Sequence, residues 1–435
     1  MDNRQRVVSK AELLERIWGG ARDVSTVEHA IGKLRRALGD DAEEARYVQT
    51  VPGQGYRFVA EVQPVVVKSA LVVGDAAVHR RTFRPVWMAV AALACLSVLG
   101  AAIAYIVIPG RVARGAWNGD TFVAMSDSGR PLWKYRFGSP LWGPPADESR
   151  WRTQIVDLGG DGVPEVLVAA AFGPPVSGGK DEIFCFSSSG TVLWRYKPKV
   201  DIEFNTRDLN GPWRPSDVLV VPESRYSTIW VAVVHDVWWP SFIDRLSPAG
   251  VRSRVFTSSG DIMALQRLQT KTGSYMLAAG VNNEYRRASL AVLSETDPAS
   301  TSPQTEGSEY QCIRGCPAAR PFRYILLPRS ELNTASDAPY NTAIRILTRP
   351  GGITVQTSEG GTLPGGFYDF SQELQPERVA YGGNYREMHR RFEREGRIRH
   401  SFKDCPERKS PAILRICDDH GNWSTVAVPR VPTPD

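Results

Sequence analysis

The chain has 435 residues, of which 42% are hydrophobic and 23% charged, and a formal net charge of +6. That length exceeds one ordinary core and that balance excludes a disordered chain, so two or three domains are expected. A charge this small names no partner by itself.

Ser9-Lys10-Ala11-Glu12 has the form of a capping box, and Leu13, Leu14, Ile17 and Trp18 follow at helical spacing until Gly19-Gly20. A second box, Ser25-Thr26-Val27-Glu28, opens a helix. On it Val27, Ile31, Leu34 and Leu38 share one face, His29, Lys33 and Arg36 share another, and Gly39 is its stop. The segment YVQTVPGQGYRFVAEV then sets two β-branched and aromatic runs around Pro52-Gly53-Gln54-Gly55, the pattern of a hairpin.

Helix, basic helix and hairpin in this order predict an α+β winged helix-turn-helix over residues 1–62. The motifs VVSKAELLERIW, STVEHAIGKLRRALGDD and YVQTVPGQGYRF closely resemble the C-terminal DNA-binding domain of OmpR/PhoB-type response regulators. The resemblance implies binding to double-stranded DNA. Ser25, Thr26, His29, Lys33 and Arg36 would face the major groove from the recognition helix, while Thr50 and Tyr56 would meet the backbone or minor groove from the wing. A homodimer on paired half-sites is expected. Two departures, Gly32 where a basic residue is common and Pro52 for a frequent wing Arg, lower the expected phosphate affinity. Family members carry roughly 35 to 40 residues before this point, a small sheet and a first helix that complete the core. The expectation is therefore either a start codon upstream of Met1 or a degenerate domain.

Residues 63–85, with Pro64 and Pro85, read as a linker. Val86 to Ile108 reads VWMAVAALACLSVLGAAIAYIVI, an uncharged run spanning about 34 Å at helical rise, which predicts a single transmembrane helix. His79, Arg80, Arg81 and Arg84 before the run outweigh Arg111 and Arg114 after it, so the N-terminus is expected in the cytoplasm and the remainder outside the inner membrane. A winged helix joined directly to one span resembles the ToxR/CadC class of one-component membrane regulators. That resemblance implies promoter binding on the inner face and sensing on the outer.

Beyond the span, FVAMSDSGRPLWKY recurs as IFCFSSSGTVLWRY, with Gly129 matching Gly190 and Trp133 matching Trp194, and a fainter copy surrounds Gly250. Between these lie IVDLGGDGVPEVLVAA, TRDLNGPWRPSDVLVV and LQRLQTKTGSYMLAAG, each read as a polar turn before an apolar strand. Repeats of about 60 residues with several short strands predict an all-β propeller over 115–370. The motifs resemble FG-GAP or quinoprotein-type blades. The turn-rich stretch from Glu295 to Pro321 reads as an inserted surface loop. Residues 371–435 read as a small α+β element with one helix from Asn384 to Glu395, stopped by Gly396.

Asp157, Asp161 and Glu165 fall at positions 1, 5 and 9 of a Gly-rich loop that resembles the calcium loops of FG-GAP blades, which makes Ca²⁺ a candidate cofactor against a plain Asp-Gly turn. Trp133 and Trp194 recur at one blade position and read as packing residues between blades. Trp238-Trp239-Pro240 with His235 and Asp236 breaks the repeat, and reads either as core or as a recognition surface. Cys95 falls inside the span. Cys312 with Cys316 and Cys405 with Cys417 are each spaced to close a small disulfide loop, leaving Cys185 as a buried thiol. Zinc is disfavoured at CIRGC, which lacks a second ligand pair.

Together these features predict a membrane-anchored one-component transcriptional regulator that senses an extracytoplasmic ligand or protein. The alternative is an anchored binding or adhesion propeller with a degenerate DNA-binding domain. No convergent catalytic set is visible, so an enzyme is not expected.

Overall fold

The computed structural model describes residues 6–18, 24–41, 44–60, 110–139, 152–170, 181–205, 209, 212–237 and 239–431. They fall in two compact units, within 1–91 and 92–435. The linker and the apolar run from 86 to 108 lie outside the described residues, among which no helix is long and apolar enough to cross a membrane.

The first unit contains α1 (Lys10–Trp18), α2 (Val24–Leu38), and a hairpin of β1 (Val48–Val51) and β2 (Gly55–Phe58). Ser9 Oγ accepts the Glu12 amide at 3.1 Å, as a capping residue should, while the Glu12 carboxylate accepts from Arg6. Lys10 and Glu28, 2.5 Å apart, join the two helices. Leu14, Val27, Val48 and Tyr56 form the core, with Leu13 and Ile31 against it. Only the first half of the expected apolar stripe on α2 is used, since Leu34 and Leu38 are 44% and 43% exposed. Gly39 ends α2 at φ +63°, and a Cβ at Gly55 would lie 2.1 Å from the Val8 carbonyl, so the wing passes Val8 only with glycine there.

The second unit is built from strands in chain order: β3 (Val112–Asn118), β4 (Thr121–Ser126) and β5 (Pro131–Arg136); β6 (Thr153–Val156), β7 (Glu165–Ala170), β8 (Glu182–Phe186) and β9 (Val192–Tyr196); β10 (Glu203–Phe204); β11 (Trp213–Pro222), β12 (Ser227–His235), β13 (Ser241–Leu246) and β14 (Arg252–Ser258); and β15 (Ile262–Gln269), β16 (Ser274–Asn282) and β17 (Arg287–Ser294). Then follow β18 (Ser300–Thr301), β19 (Cys312–Arg314), β20 (Arg323–Leu326), helix α3 (Glu331–Ala335), and β21 (Thr342–Arg349), β22 (Gly352–Ser358), β23 (Gly366–Ser371) and β24 (Pro376–Tyr381). Helices α4 (Tyr385–Arg394) and α5 (Pro406–Lys409) precede β25 (Ala412–Asp418) and β26 (Trp423–Val428).

These strands make five larger sheets: β3-β4-β5, β6 to β9 in order, β11 to β14 with β18 added, β15-β16-β17-β20-β25-β26, and β21 to β24 in order. Side-chain parity shows that they stack face to face in chain order. On β7, Val166, Val168 and Ala170 pack with Phe122 of the first sheet, and Leu167 and Ala169 with Ile229 and Val231 of the third. On β12, Trp230 and Ala232 turn the other way, toward Met276 and Ala278 of the fourth. On β16, Leu277 and Ala279 meet Ile353 and Val355 of the fifth. An inner strand covered on both faces is buried along its whole length: all nine residues of β12 are buried and Ile229 to Val234 are apolar without a break, whereas β9 alternates.

The repeat expected from sequence is present as a turn recurring at 126–130, 187–191 and 247–251, each closed by a Gly amide on a Ser carbonyl. Among the described residues no apolar cluster joins the first sheet to the fifth, so closure into a ring is not seen there. The apolar run VLVV at 218–221 lies in a strand as expected, but that strand, β11, already begins at Trp213, inside the expected turn. The counterpart of the 155–170 hairpin is therefore the pair β11-β12 with its turn at 223–226. The stretch after Glu295 is more than a surface loop, because Ser300 and Thr301 are buried and pair in parallel with Phe256 and Thr257. Residues 371–435 do not stand apart. β24 completes the fifth sheet, and β25 joins the fourth through β20. The helix predicted near the end is α4, with Tyr385 and Phe392 buried and Gly396 at φ +72° beyond it.

Cys312 and Cys316 form a disulfide, with Cα atoms 6.3 Å apart. Cys405 does not bridge to Cys417. Both are free and buried, as is Cys185, whose thiol burial pushes up to about 12.

Candidate functional site

In the first unit, Ser25, Thr26, His29, Lys33 and Arg36 all fall on α2; their side chains lie outside the described residues. Thr50 is exposed on β1, where its hydroxyl accepts from Arg35 Nη2 at 2.8 Å. Tyr56 departs from the expected DNA contact. It is 8% exposed and fills the core beside Leu14 and Val27, while its backbone exchanges hydrogen bonds with Val8 at 2.8 and 3.0 Å.

Two residues that sequence reasoning did not single out hold this surface together. Arg35 Nη2 also donates to the Val48 carbonyl at 2.7 Å, which couples α2 to the hairpin. Asp40, just past the Gly39 stop, accepts the amides of Arg46, Tyr47 and Val48 at 2.6, 3.3 and 2.8 Å. Desolvation pushes the Asp40 carboxyl upward, but these amide bonds outweigh it and hold the group below the ordinary carboxylate value. The string LRRALGDD was the available signal; in it Arg35 reads as one more cation beside Arg36. A helix positioned beside a hairpin by such contacts can enter a groove with fixed orientation.

In the second unit the calcium reading does not fit the geometry. Asp157 Oδ1 accepts the Gly160 and Asp161 amides at 2.7 and 3.2 Å, and Oδ2 accepts Gly162 at 2.7 Å. Asp161 accepts Val163, and Glu165 accepts Leu158, both at 2.8 Å. Each carboxylate thus caps amides of its own loop, and the three are not among the described clusters whose ligand atoms converge within 4.8 Å. Asp157, Asp161 and Glu165 staple a turn in which Gly160 and Gly162 take φ +74° and +86°.

The aromatic cluster divides. His235 is 1% exposed against Trp213, and Asp236 pairs with Arg214 at 2.5 Å. Trp238 lies outside the described residues. Trp239 takes φ +66°, packs edge-on to Tyr340 with centroids 5.1 Å apart, and lines a cavity of about 240 Å³ with Phe204, Val237, Pro240 and Tyr310. A left-handed conformation costs a bulky residue about 1–2 kcal/mol, so the fold holds this indole at the cavity against a local preference.

Residues 1–58 match the family "Transcriptional regulatory protein, C terminal". Among curated relatives, the transcriptional regulator HilA of Salmonella typhi is 45% identical over 65 residues, 15% of this chain and 11% of HilA. The phosphate regulon transcriptional regulatory protein PhoB of Pseudomonas aeruginosa is 43% identical over 60 residues, 13% of this chain and 25% of PhoB. The cholera toxin transcriptional activator of Vibrio cholerae is 37% identical over 62 residues, 14% of this chain and 21% of its own length. The chain therefore spans a quarter or less of each of these relatives. A solved structure, BBS1N in complex with ARL6DN, covers 73% of this chain and 80% of its own at 10% identity, but its TM-score of 0.33 carries no argument. The matched segment coincides with the helix and hairpin arrangement coupled by Arg35, and residues 1–58 are an OmpR/PhoB-type DNA-binding domain.

Proposed function

We propose that the chain is a membrane-anchored transcriptional regulator whose stacked β-sheet unit senses a ligand on the far side of the membrane. The observation that carries the reading is the coupling of α2 to the β1-β2 hairpin through Arg35, within the segment that matches DNA-binding domains of regulators. The uncharged run from 86 to 108 supports an anchor by its length and composition. The cavity beside Trp239 supports a small ligand with an aromatic or apolar face.

The test uses the full chain in nanodiscs against sheared genomic DNA. Binding that weakens steeply with salt is expected, and Lys33→Ala or Arg36→Ala should each reduce the salt slope by about 1. Absence of DNA binding at low salt sinks the proposal. A phosphatase fused after Asp435 should be active only if the C-terminus is exported, and an inactive, well-expressed fusion removes the anchoring part.

A further inference from the structure

Four side chains from separate segments meet beside the fifth sheet: Glu331 at the start of α3, His389 on α4, His400, and Cys405 just before α5. Their ligand atoms all lie within 4.8 Å of one another. Glu331 Oε2 is 3.6 Å from His389 Nε2 and 3.2 Å from Cys405 Sγ, while Oε1 is 3.2 Å from His400 Nε2. Ligand atoms held 2.0–2.3 Å from one ion in a tetrahedral array lie roughly 3.3–3.8 Å apart, so these separations are close to those of a metal-ligand set.

The nitrogens are left open toward this point. His389 Nε2 and His400 Nε2 are sealed from solvent without a hydrogen-bond partner, and His389 is 0% exposed. On its other side, His389 Nδ1 bonds Glu393 Oε1 at 2.7 Å, one turn along α4. A carboxylate there accepts a hydrogen bond from Nδ1–H, which keeps the proton on Nδ1 and leaves the Nε2 lone pair facing the cluster, as in carboxylate–histidine–metal arrangements. Glu331 is fixed in turn: Ser330 caps α3 through the Asn333 amide at 3.0 Å, and its own amide donates to the buried Glu359 at 3.0 Å.

We infer that Glu331, His389, His400 and Cys405 form a four-coordinate site for a divalent ion of the zinc class. Two imidazoles, a thiolate and a carboxylate suit a borderline-soft ion and leave no protein-free position, which is the form of a structural site. The ion clamps α3 and α4 to the 400–405 segment around the small core of Leu332, Tyr385, Phe392, Ile398 and Phe402.

The purified full chain, kept non-reducing so that Cys312 and Cys316 stay bridged, is titrated with Zn²⁺ and, separately, Co²⁺. One Zn²⁺ should be retained per chain through gel filtration, and Co²⁺ should give a thiolate-to-cobalt charge-transfer band. Cys405→Ser should abolish the band and Cys417→Ser should keep it. Glu393→Gln, which spares all four ligands, should weaken affinity about 10–100-fold. A folded wild-type chain that gives no thiolate band, or a band that survives Cys405→Ser, overturns the site.

Discussion

Trp194 lies over Gly250 across the boundary between the second and third sheets. Its indole N–H donates to the Pro248 carbonyl at 2.8 Å, and a Cβ on Gly250 would come within 2.7 Å of its ring. Trp133 repeats the relationship one sheet earlier, donating to the Ser188 carbonyl at 2.9 Å over Gly190. In the third copy Arg254 stands where the tryptophan would, stacked on Phe242 with its guanidinium 3.6 Å from the ring centroid. The sheets are thus joined by a repeated indole-on-turn contact that ends at the third sheet.

Gly250→Ala should therefore destabilise the β-sheet unit more than Trp194→Phe. The alanine meets both a left-handed backbone, costing about 1–2 kcal/mol, and the indole ring, where overpacking costs about 1–3 kcal/mol. The phenylalanine loses mainly one hydrogen bond, about 1 kcal/mol. Urea unfolding followed by circular dichroism should rank them in that order; equal midpoints would show that the turn is free to move off the ring.

This contact was legible in the sequence because its parts are local and repeated: a Ser, a Gly at positive φ, and a Trp four residues on. The winged helix was legible for the same reason, in caps, a Gly stop and a hairpin turn. What sequence did not reveal depends on long-range pairing. The fourth sheet gathers β15 to β17, β20 and β25-β26 across intervals of up to about a hundred residues, so no period marks it. The Glu331, His389, His400 and Cys405 cluster has no motif spacing, and its Cys405 reads equally well as a partner for Cys417 until the fold separates them. The Asp157 loop failed in the opposite way, because a carboxylate pattern that could ligate an ion also satisfies the amides of its own turn.

Asp244 is 0% exposed and anchors a network across the second and third sheets. It accepts from Tyr196 at 2.8 Å and from Arg254 at 2.5 Å, with Arg252 at 3.5 Å. Asp244→Ala should cost about 3–5 kcal/mol, because it leaves guanidinium charge in a low-dielectric setting with less compensation. Tyr196→Phe removes one donor and leaves the ion pairs, so about 1–2 kcal/mol is expected. The two variants, compared by chemical denaturation with the double mutant, should be non-additive; additive losses would mean that the groups act separately.

Burial raises Asp261 to about 7 and Asp217 to about 6, against a usual 3.8; at Asp217 the amides of Leu265 and Val218 only partly offset it. A carboxyl raised in the folded state binds its proton more tightly there than when unfolded. Its contribution is full below about pH 4 and is lost as pH rises through 6 and 7. Stability of the β-sheet unit should accordingly fall between about pH 4 and pH 7, with Asp261 supplying up to about 4 kcal/mol of the change. Asp261→Asn keeps the shape without the charge and should flatten the profile at its upper end. An unchanged slope in that variant would place the titration elsewhere.

Arg35 separates positioning from contact at the DNA-binding domain. Its guanidinium spends its Nη2 on the Val48 carbonyl and Thr50 hydroxyl, at 2.7 and 2.8 Å, and its Nε reaches Val48 at 3.3 Å, all within the protein. Phosphate-binding cations release counterions, so their loss lowers the salt dependence of binding; a cation that bonds the hairpin should not. Arg35→Ala should weaken DNA binding by roughly tenfold or more, through a misplaced hairpin and the unsatisfied Val48 carbonyl, at about 1–3 kcal/mol. The slope of log affinity against log salt should stay within error of wild type, and the melting temperature of the domain should drop. Arg35→Lys keeps the charge but not the forked geometry, and should recover little of either. Fluorescence anisotropy across a salt series, with thermal melts of the same full-length variants, makes the comparison. A slope reduced by about 1 with unchanged melting would assign Arg35 to a phosphate instead of to Val48 and Thr50.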